Sequence, residues 1–290
     1  MRVLLTGATG FVGSRLSVAL RGGGHQVETV SRGSDGDYGW SEDSLARGVE
    51  ANEAIIHLAG EPIVGKRWSA AQKAKLRDSR VETTHKLAKL AARTGTDALL
   101  CASAIGYYGP RDDRPLDESA NAGDDFLSRL CVEWEQAAQP ARDVGVRVVS
   151  VRIGVALGNG GGALRKMLPP FKMGVGGPIG SGRQTVSWIH IDDLVRLFVF
   201  LLERPDLTGV FNGTAPEAVT MKELSRGLGR ALHRPAIFPV PGVVLKVALG
   251  EASVLLLTGQ RVLPTRALAA GFEFQYPELD AALESLLSPK

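Results

Sequence analysis

The sequence predicts an α/β fold, a doubly wound parallel sheet with a smaller lobe behind it. Three observations carry that prediction. Short apolar runs of strand length alternate with longer amphipathic stretches through the first half of the chain. A glycine-spaced turn joins the first apolar run to the first helical one. Beyond about Gly154 the texture becomes glycine-rich. Alternation of this kind builds a parallel sheet through right-handed crossovers, with helices on both faces.

Val3-Leu4-Leu5 is a short buried strand, and Phe11 to Leu20 carries apolar residues at helical spacing. Further strands read Gln26 to Ser31, Ala54 to Leu58, Leu99 to Ser103 and Val146 to Ile153. Two long amphipathic stretches lie between them: Ser69 to Arg93, with Ser69 as N-cap, and Asp124 to Val144. Gly33 to Gly48 is harder to read and holds at most a short strand around Tyr38 to Ser41. Nine glycines fall between Gly158 and Gly182, which suits a mobile loop around a ligand. Val186 to Ile189 and Val210 to Asn212 read as short strands flanking a helix from Ile191 to Leu202. Thr220 caps another helix, and Pro235 to Pro241 is an extended link into a helical C-terminal region.

Composition narrows the function. The chain has 290 residues, 44% hydrophobic and 22% charged, the balance of an ordinary globular protein. Net charge is only +3 and no basic run reaches five residues, so nucleic acid is not an expected partner. Cys101 and Cys131 are the only cysteines and have no metal-ligand spacing, so neither a disulfide framework nor a metal site is expected. Val243 to Leu257 is interrupted by Lys246, Gly250 and Glu251, too broken for a membrane span, and no membrane partner is expected. Met1-Arg2 runs straight into a strand, leaving no room for a signal peptide, so the expected location is cytoplasmic.

The strongest motif is Thr6-Gly7-Ala8-Thr9-Gly10-Phe11-Val12-Gly13, placed between a strand and a helix. Gly7 lets the chain turn, Gly10 lets backbone approach a pyrophosphate, and Gly13 lets helix and strand pack closely. The helix N-terminus adds free N–H groups and a positive dipole end. An ordinary βα turn with incidental glycines is the bland alternative. The motif makes residues 1–157 a Rossmann-type nucleotide-binding domain, with segments near 186–212 returning to its sheet. Residues 158–290 form the substrate-side lobe, with a small helical domain from about 238. The second strand ends Val30-Ser31-Arg32, with no acid where an NAD site needs one; Glu28 sits earlier. A hydroxyl and a guanidinium suit a 2′-phosphate, so the expected cofactor is NADP(H), with Ser31 and Arg32 as its ligands. A solvated turn arginine is the alternative.

The spacing Gly7, Gly10, Gly13 resembles the extended short-chain dehydrogenase/reductase superfamily. His57-Leu58-Ala59-Gly60 resembles its strand end beside the cofactor, and Ser103-Ala104-Ile105-Gly106-Tyr107-Tyr108-Gly109 its active-site serine strand. Arg152-Ile153-Gly154 and Trp188-Ile189-His190-Ile191-Asp192-Asp193 resemble later segments in the same order. More narrowly, Gly60-Glu61-Pro62-Ile63, Arg67-Trp68, Ser79-Arg80, Trp134-Glu135 and Gly259-Gln260-Arg261-Val262-Leu263-Pro264 resemble an atypical, epimerase-like branch with a small C-terminal domain. The resemblance adds Leu58, Ala59, Gly60, Glu61, Arg80, Ala102, Arg152 and Ile153 to the expected cofactor contacts, beside Gly7, Thr9, Gly10, Phe11, Val12 and Gly13. It covers nearly the whole chain, and the branch itself is of unassigned activity.

One departure limits the chemistry. The superfamily uses a tyrosine acid/base with a lysine four residues on. The tyrosines here are Tyr38, Tyr107, Tyr108 and Tyr276, and none has such a lysine. On the helix where the pair belongs, one alignment puts Asp125 and Arg129 in the two places, and another puts Leu127 and Cys131 there. Ser103, by resemblance, polarises a substrate oxygen; alternatively it is a strand-end serine satisfied by backbone. Cys131 is either a ligand-side thiol or packing. Tyr107 and Glu61 are further candidate proton sources. His57 and His190 are expected to be structural. The leading expectation is an NADPH-dependent oxidoreductase on a small carbonyl or sugar-like substrate. A non-catalytic NADP(H)-binding sensor or scaffold comes second, and a sugar-nucleotide epimerase third. Helices of this fold commonly pair two subunits, so a homodimer is the assembly to test.

Overall fold

The computed structural model describes residues 1–111 and 113–288, so the last two residues of the expected 158–290 lobe lie outside the described residues. Six strands form the central sheet: β1 (Arg2–Thr6), β2 (Gln26–Val30), β3 (Ala54–His57), β4 (Ala98–Ala104), β5 (Arg147–Ile153) and β6 (Gly209–Gly213). Their order is β6-β5-β4-β3-β1-β2, and every neighbouring pair is parallel. The chain leaves β1 on one side to make β2 and crosses to the other side for β3. That reversal opens a crevice at the carboxyl ends of β1 and β3.

The helices are α1 (Phe11–Gly22), α2 (Glu42–Ala51), α3 (Ala70–Asp78), α4 (Val81–Thr94), α5 (Phe126–Gln136), α6 (Gln139–Arg142), α7 (Gly162–Lys172), α8 (Ile191–Glu203), α9 (Met221–Leu232) and α10 (Gly242–Leu249). Shorter turns and a C-terminal helix, Leu279–Leu287, complete the chain. Strand alternation sorts the two faces. Val3, Leu5, Ile56, Leu100 and Val149 pack with Leu16 and Leu20 of α1 and with Leu194, Phe198 and Leu201 of α8. Leu4, Ile55, Leu99, Cys101 and Val148 pack on the other face with α2, α4 and α6. Ser69 and Thr220 cap their helices as expected; Thr220 also forms a reciprocal capping box with Glu223.

The amphipathic stretch from Ser69 to Arg93 is two helices, not one. The break falls at Ser79-Arg80, whose side chains turn back to the loop after β3: Glu61 N–H donates to Ser79 Oγ (3.0 Å), and Arg80 Nη2 donates to the Glu61 carbonyl (2.9 Å). The region 33–48 contributes a single bridge, Tyr38 to Val30, before α2 begins. Of the 186–212 region, Gly209–Gly213 joins the main sheet, while Trp188–His190 pairs with Val155–Leu157 and Thr185–Val186 with Val219–Thr220.

The glycine-rich stretch differs most from expectation. It contains a helix, α7, and several of its glycines exist for packing. The Phe11 ring lies where a Cβ on Gly158, Gly161 or Gly162 would be, and a Cβ on Gly176 would overlap the Phe171 ring. Arg15 Nη2 donates to the Asn159 carbonyl (2.5 Å) and its guanidinium lies over the Phe11 ring. The loop is therefore a socket for an aromatic ring from the turn after β1.

The second lobe has its own core, in which Leu164, Leu168 and Phe171 of α7 meet Leu224 and Leu228 of α9. Leu279, Leu283 and Leu286 of the C-terminal helix join the same core. Ala267 and Phe272 pack instead with the sheet, and Asp193 accepts from the N–H groups of Gln275 and Tyr276 (2.8 Å each). The C-terminal segment thus laces both cores together. No helix among the described residues is long and apolar enough to cross a membrane.

If the Phe11 socket couples the lobes, Phe11→Ala lowers unfolding stability by about 3 kcal/mol, the low end for truncating a large ring, because this one is partly exposed. Urea denaturation checks this, with a single unchanged transition as the contrary result.

Candidate functional site

Five strand ends line up along one edge: Ser31-Arg32 after β2, Gly7 after β1, Leu58-Ala59-Gly60 after β3, Ala102-Ser103 on β4, and Arg152-Ile153 on β5. At spacings near 4.8 Å per strand, the row spans roughly 19 Å. Gly7 has φ of 74° and rests on the next strand end, so that a Cβ there would come within 2.8 Å of the Ala59 nitrogen. A Cβ on Gly13 would overlap the Gly7 carbonyl. Gly10 caps α1 and, with Thr9, is exposed. The open amino end of α1, at Phe11, Val12 and Gly13, has N–H groups without helical acceptors. The Phe11 side chain points away into its socket, so only its backbone faces this edge.

His57 anchors the turn from below. Thr6 Oγ1 and His57 Nδ1 are 2.6 Å apart, His57 Nε2 lies 3.2 Å from Thr83 Oγ1, and Ala59 N–H donates to Thr6 Oγ1 (3.3 Å). Complete burial, with Arg80 nearby, pushes the imidazole down to about 3, so it is neutral.

At the far edge of the row, Arg32 is exposed and has no hydrogen-bond or ionic partner among the described residues. Glu28 is committed elsewhere: it accepts from Asn52 Nδ2 (2.7 Å) and the Tyr38 hydroxyl (3.2 Å). Ser31 Oγ donates to Asp35 (2.8 Å) and accepts from Gly33 N–H (3.1 Å), which orders the turn around Arg32. The cradle left open by glycine, a helix amino end and an unpaired guanidinium fits a dinucleotide with a 2′-phosphate.

The remaining candidates belong to another, buried arrangement. Ser103 is 3% exposed and its hydroxyl donates to Glu135 Oε1 (2.7 Å). Arg152 grips the same carboxylate through Nε and Nη2 (2.8 Å each). Arg152 Nη1 donates to the Tyr108 hydroxyl (3.0 Å), which donates to Asn212 Oδ1 (2.7 Å). The guanidinium also lies 3.3 Å from the Tyr107 ring centroid. Burial alone would lower the Arg152 pKa, but the Glu135 contacts outweigh it and the group is held above its ordinary value. Burial pushes the Tyr108 phenol up. Each of the three Arg152 nitrogens thus has a partner within this network.

Arg80 donates to the carbonyls of Glu61 and Leu76 (2.9 and 3.1 Å) and lies over the Trp134 ring. These bonds tie the loop after β3 to the break between α3 and α4. Glu61 accepts from Lys66 (2.8 Å), which holds its carboxyl below the usual range, so it is a poor proton source at neutral pH. Burial pushes the Cys131 thiol up to about 12, so it stays protonated. Cys131 lies one helical turn before Glu135 and beside Gly106, as Leu127 does. Glu135 and Asn212 are the polar residues that sequence reasoning did not assign. Glu135 shares a helical face with Cys131 at i,i+4, a signal that was available; Asn212 reaches the site only through tertiary pairing.

The fold and its row of strand ends define a class, Rossmann-type α/β proteins with a dinucleotide crevice. The chain belongs to the NAD dependent epimerase/dehydratase family, which residues 3–212 match, and residues 240–286 match a domain of unknown function, DUF1731. It is 43% identical to mouse epimerase family protein SDR39U1 over 99% of this chain and 100% of that one. It is 41% identical to the Arabidopsis thaliana chloroplastic homolog, over 99% of this chain and 87% of that one. The crystal structure of human SDR39U1 isoform 2 with NADPH has a TM-score of 0.94 at 40% identity, covering 99% of each chain.

Two outcomes follow. Glu135→Ala leaves Arg152 buried without its carboxylate and costs about 3–5 kcal/mol in urea denaturation, part of it recovered in the double variant with Arg152→Met. Unequal protonation of His57 acts on pH dependence. The folded imidazole stays neutral to about pH 3 while the unfolded one protonates near 6.5. Its stabilising contribution is therefore full above pH 6.5 and is lost as pH falls from there toward 3. His57→Asn should be less sensitive than the parent protein between pH 7 and about 4.5; parallel urea midpoints would contradict this.

Proposed function

We propose that this protein is an NADPH-dependent oxidoreductase acting on a small carbonyl or sugar-like substrate. The observation that carries the reading is the Arg32 guanidinium, without a partner among the described residues, at the end of a glycine cradle, with Glu28 already engaged. The human relative crystallised with NADPH supports it. In this reading the α1 amino end and the Gly7–Gly13 backbone hold the pyrophosphate, Ser31 and Arg32 take the 2′-phosphate, and Leu58–Gly60 with Ala102 flank the rest. NADPH, when bound, supplies the hydride. Ser103 is the polarising hydroxyl. Arg152 keeps both of its hydrogen bonds to Glu135, so Ser103 can turn its proton toward a substrate oxygen without leaving that carboxylate uncompensated. Cys131 stays protonated, and the alcohol's proton comes from water or from a neighbour of Cys131.

A second reading, a non-catalytic NADP(H)-binding sensor, is favoured by the burial of Ser103 and its bond to Glu135. A sugar-nucleotide epimerase fits least, because epimerisation needs its acid/base twice per cycle.

Calorimetry with NADPH and NADH tests the cofactor reading. Arg32→Ala should weaken NADPH roughly ten- to hundredfold, the worth of one charge-assisted contact, and leave NADH unchanged. Equal losses for both would remove Arg32 from its role. A carbonyl screen on the NADPH-loaded protein then separates the two readings, because the sensor shows binding without turnover.

A further inference from the structure

Seven of the twelve large apolar side chains exposed among the described residues fall in two short stretches of the second lobe, 173–175 and 237–247. α10 buries none of its residues; Val243, Val244 and Val247 are 66%, 53% and 71% exposed. Ile237 and Phe238 precede it, and Met173 and Val175 follow α7. These stretches are one surface, because Phe238 N–H donates to the Gly176 carbonyl (3.1 Å) and Val240 N–H to the Pro178 carbonyl (2.9 Å). An exposed cluster of this kind marks an interaction site.

Its charge says what covers it. Residues 155–191 contain no Asp or Glu, and neither do residues 224–250. The exposed cations in these two segments include Lys172 beside Met173, Arg234 three residues before Ile237, and Lys246 between Val244 and Val247. The next acid, Glu251, is held by Lys73 at 2.6 Å. A second copy docked face to face would set cation against cation. We propose that this face docks on an anionic phospholipid bilayer, with the apolar side chains dipping into the interface and the cations meeting lipid phosphates. The contact is made from one side of the bilayer.

Sedimentation with vesicles tests this. The protein should pellet with equal parts phosphatidylglycerol and phosphatidylcholine, and at least about tenfold less with phosphatidylcholine alone or in high salt. V243E/V247E and, separately, K246E should each lose most of the binding while keeping NADPH affinity; all three positions are exposed, and K246E serves if the double variant fails to fold. No pelleting, equal binding to neutral vesicles, or binding that survives these variants overturns the proposal. So does a concentration-dependent dimer that the variants dissociate, which would assign the face to a second copy.

Discussion

The turn between β1 and α1 is the constraint on which the rest of the molecule depends. Gly7 must take a positive φ with no room for a Cβ against Ala59, and Gly13 must pass its carbonyl. Meeting both conditions points the amino end of α1 along the crevice and sets the Phe11 ring on the opposite side. There it fills the glycine socket of the second lobe. One tight turn therefore shapes the nucleotide edge and joins the two cores, so damage to the turn should be felt in both.

The polar groups beyond the turn divide by solvation. Arg32 is left in water with no partner among the described residues, a state that has low cost at the surface and suits capture of an anionic group. Arg152 is buried, and a buried guanidinium is tolerable only if fully satisfied. Glu135 and Tyr108 between them take one bond from each of its nitrogens, the Tyr107 ring lies against it, and Ser103 donates a further bond to the same carboxylate. The helix on which the superfamily resemblance places a tyrosine and a lysine sets Leu127 and Cys131 against Gly106. One helical turn beyond Cys131, the same helix supplies Glu135, the carboxylate that Arg152 and Ser103 share.

The C-terminal segment is bound into this arrangement. Gln260 Nε2 donates to the Ile105 carbonyl (2.9 Å), Leu263 N–H to Leu116 (2.8 Å), and Asn212 Nδ2 to the Leu263 carbonyl (2.9 Å). Asn212 also receives the Tyr108 hydroxyl, so the segment touches the same network that holds Ser103. It leaves α10 exposed as the apolar, cationic face of the second lobe.

Residues close together in the chain determined much of this protein. Strand–helix alternation dictated the parallel sheet, because each apolar face must be covered, and the Gly7–Gly13 spacing dictated the turn. Val30-Ser31-Arg32 gave the exposed cation at the end of the second strand, since a charge at a strand end is read from sequence position alone. The tertiary structure decided what depends on partners far apart in the chain. It turned a glycine-rich stretch, expected to be mobile, into a helix and an aromatic socket, because Phe11 lies about 150 residues from Gly161. It split Ser69–Arg93 at Arg80, where bonds to the Glu61 loop outweigh helix propensity. It also withdrew Arg152 and Ser103 into a buried network through Glu135, because desolvation of a guanidinium demands a counter-charge that no local spacing reveals.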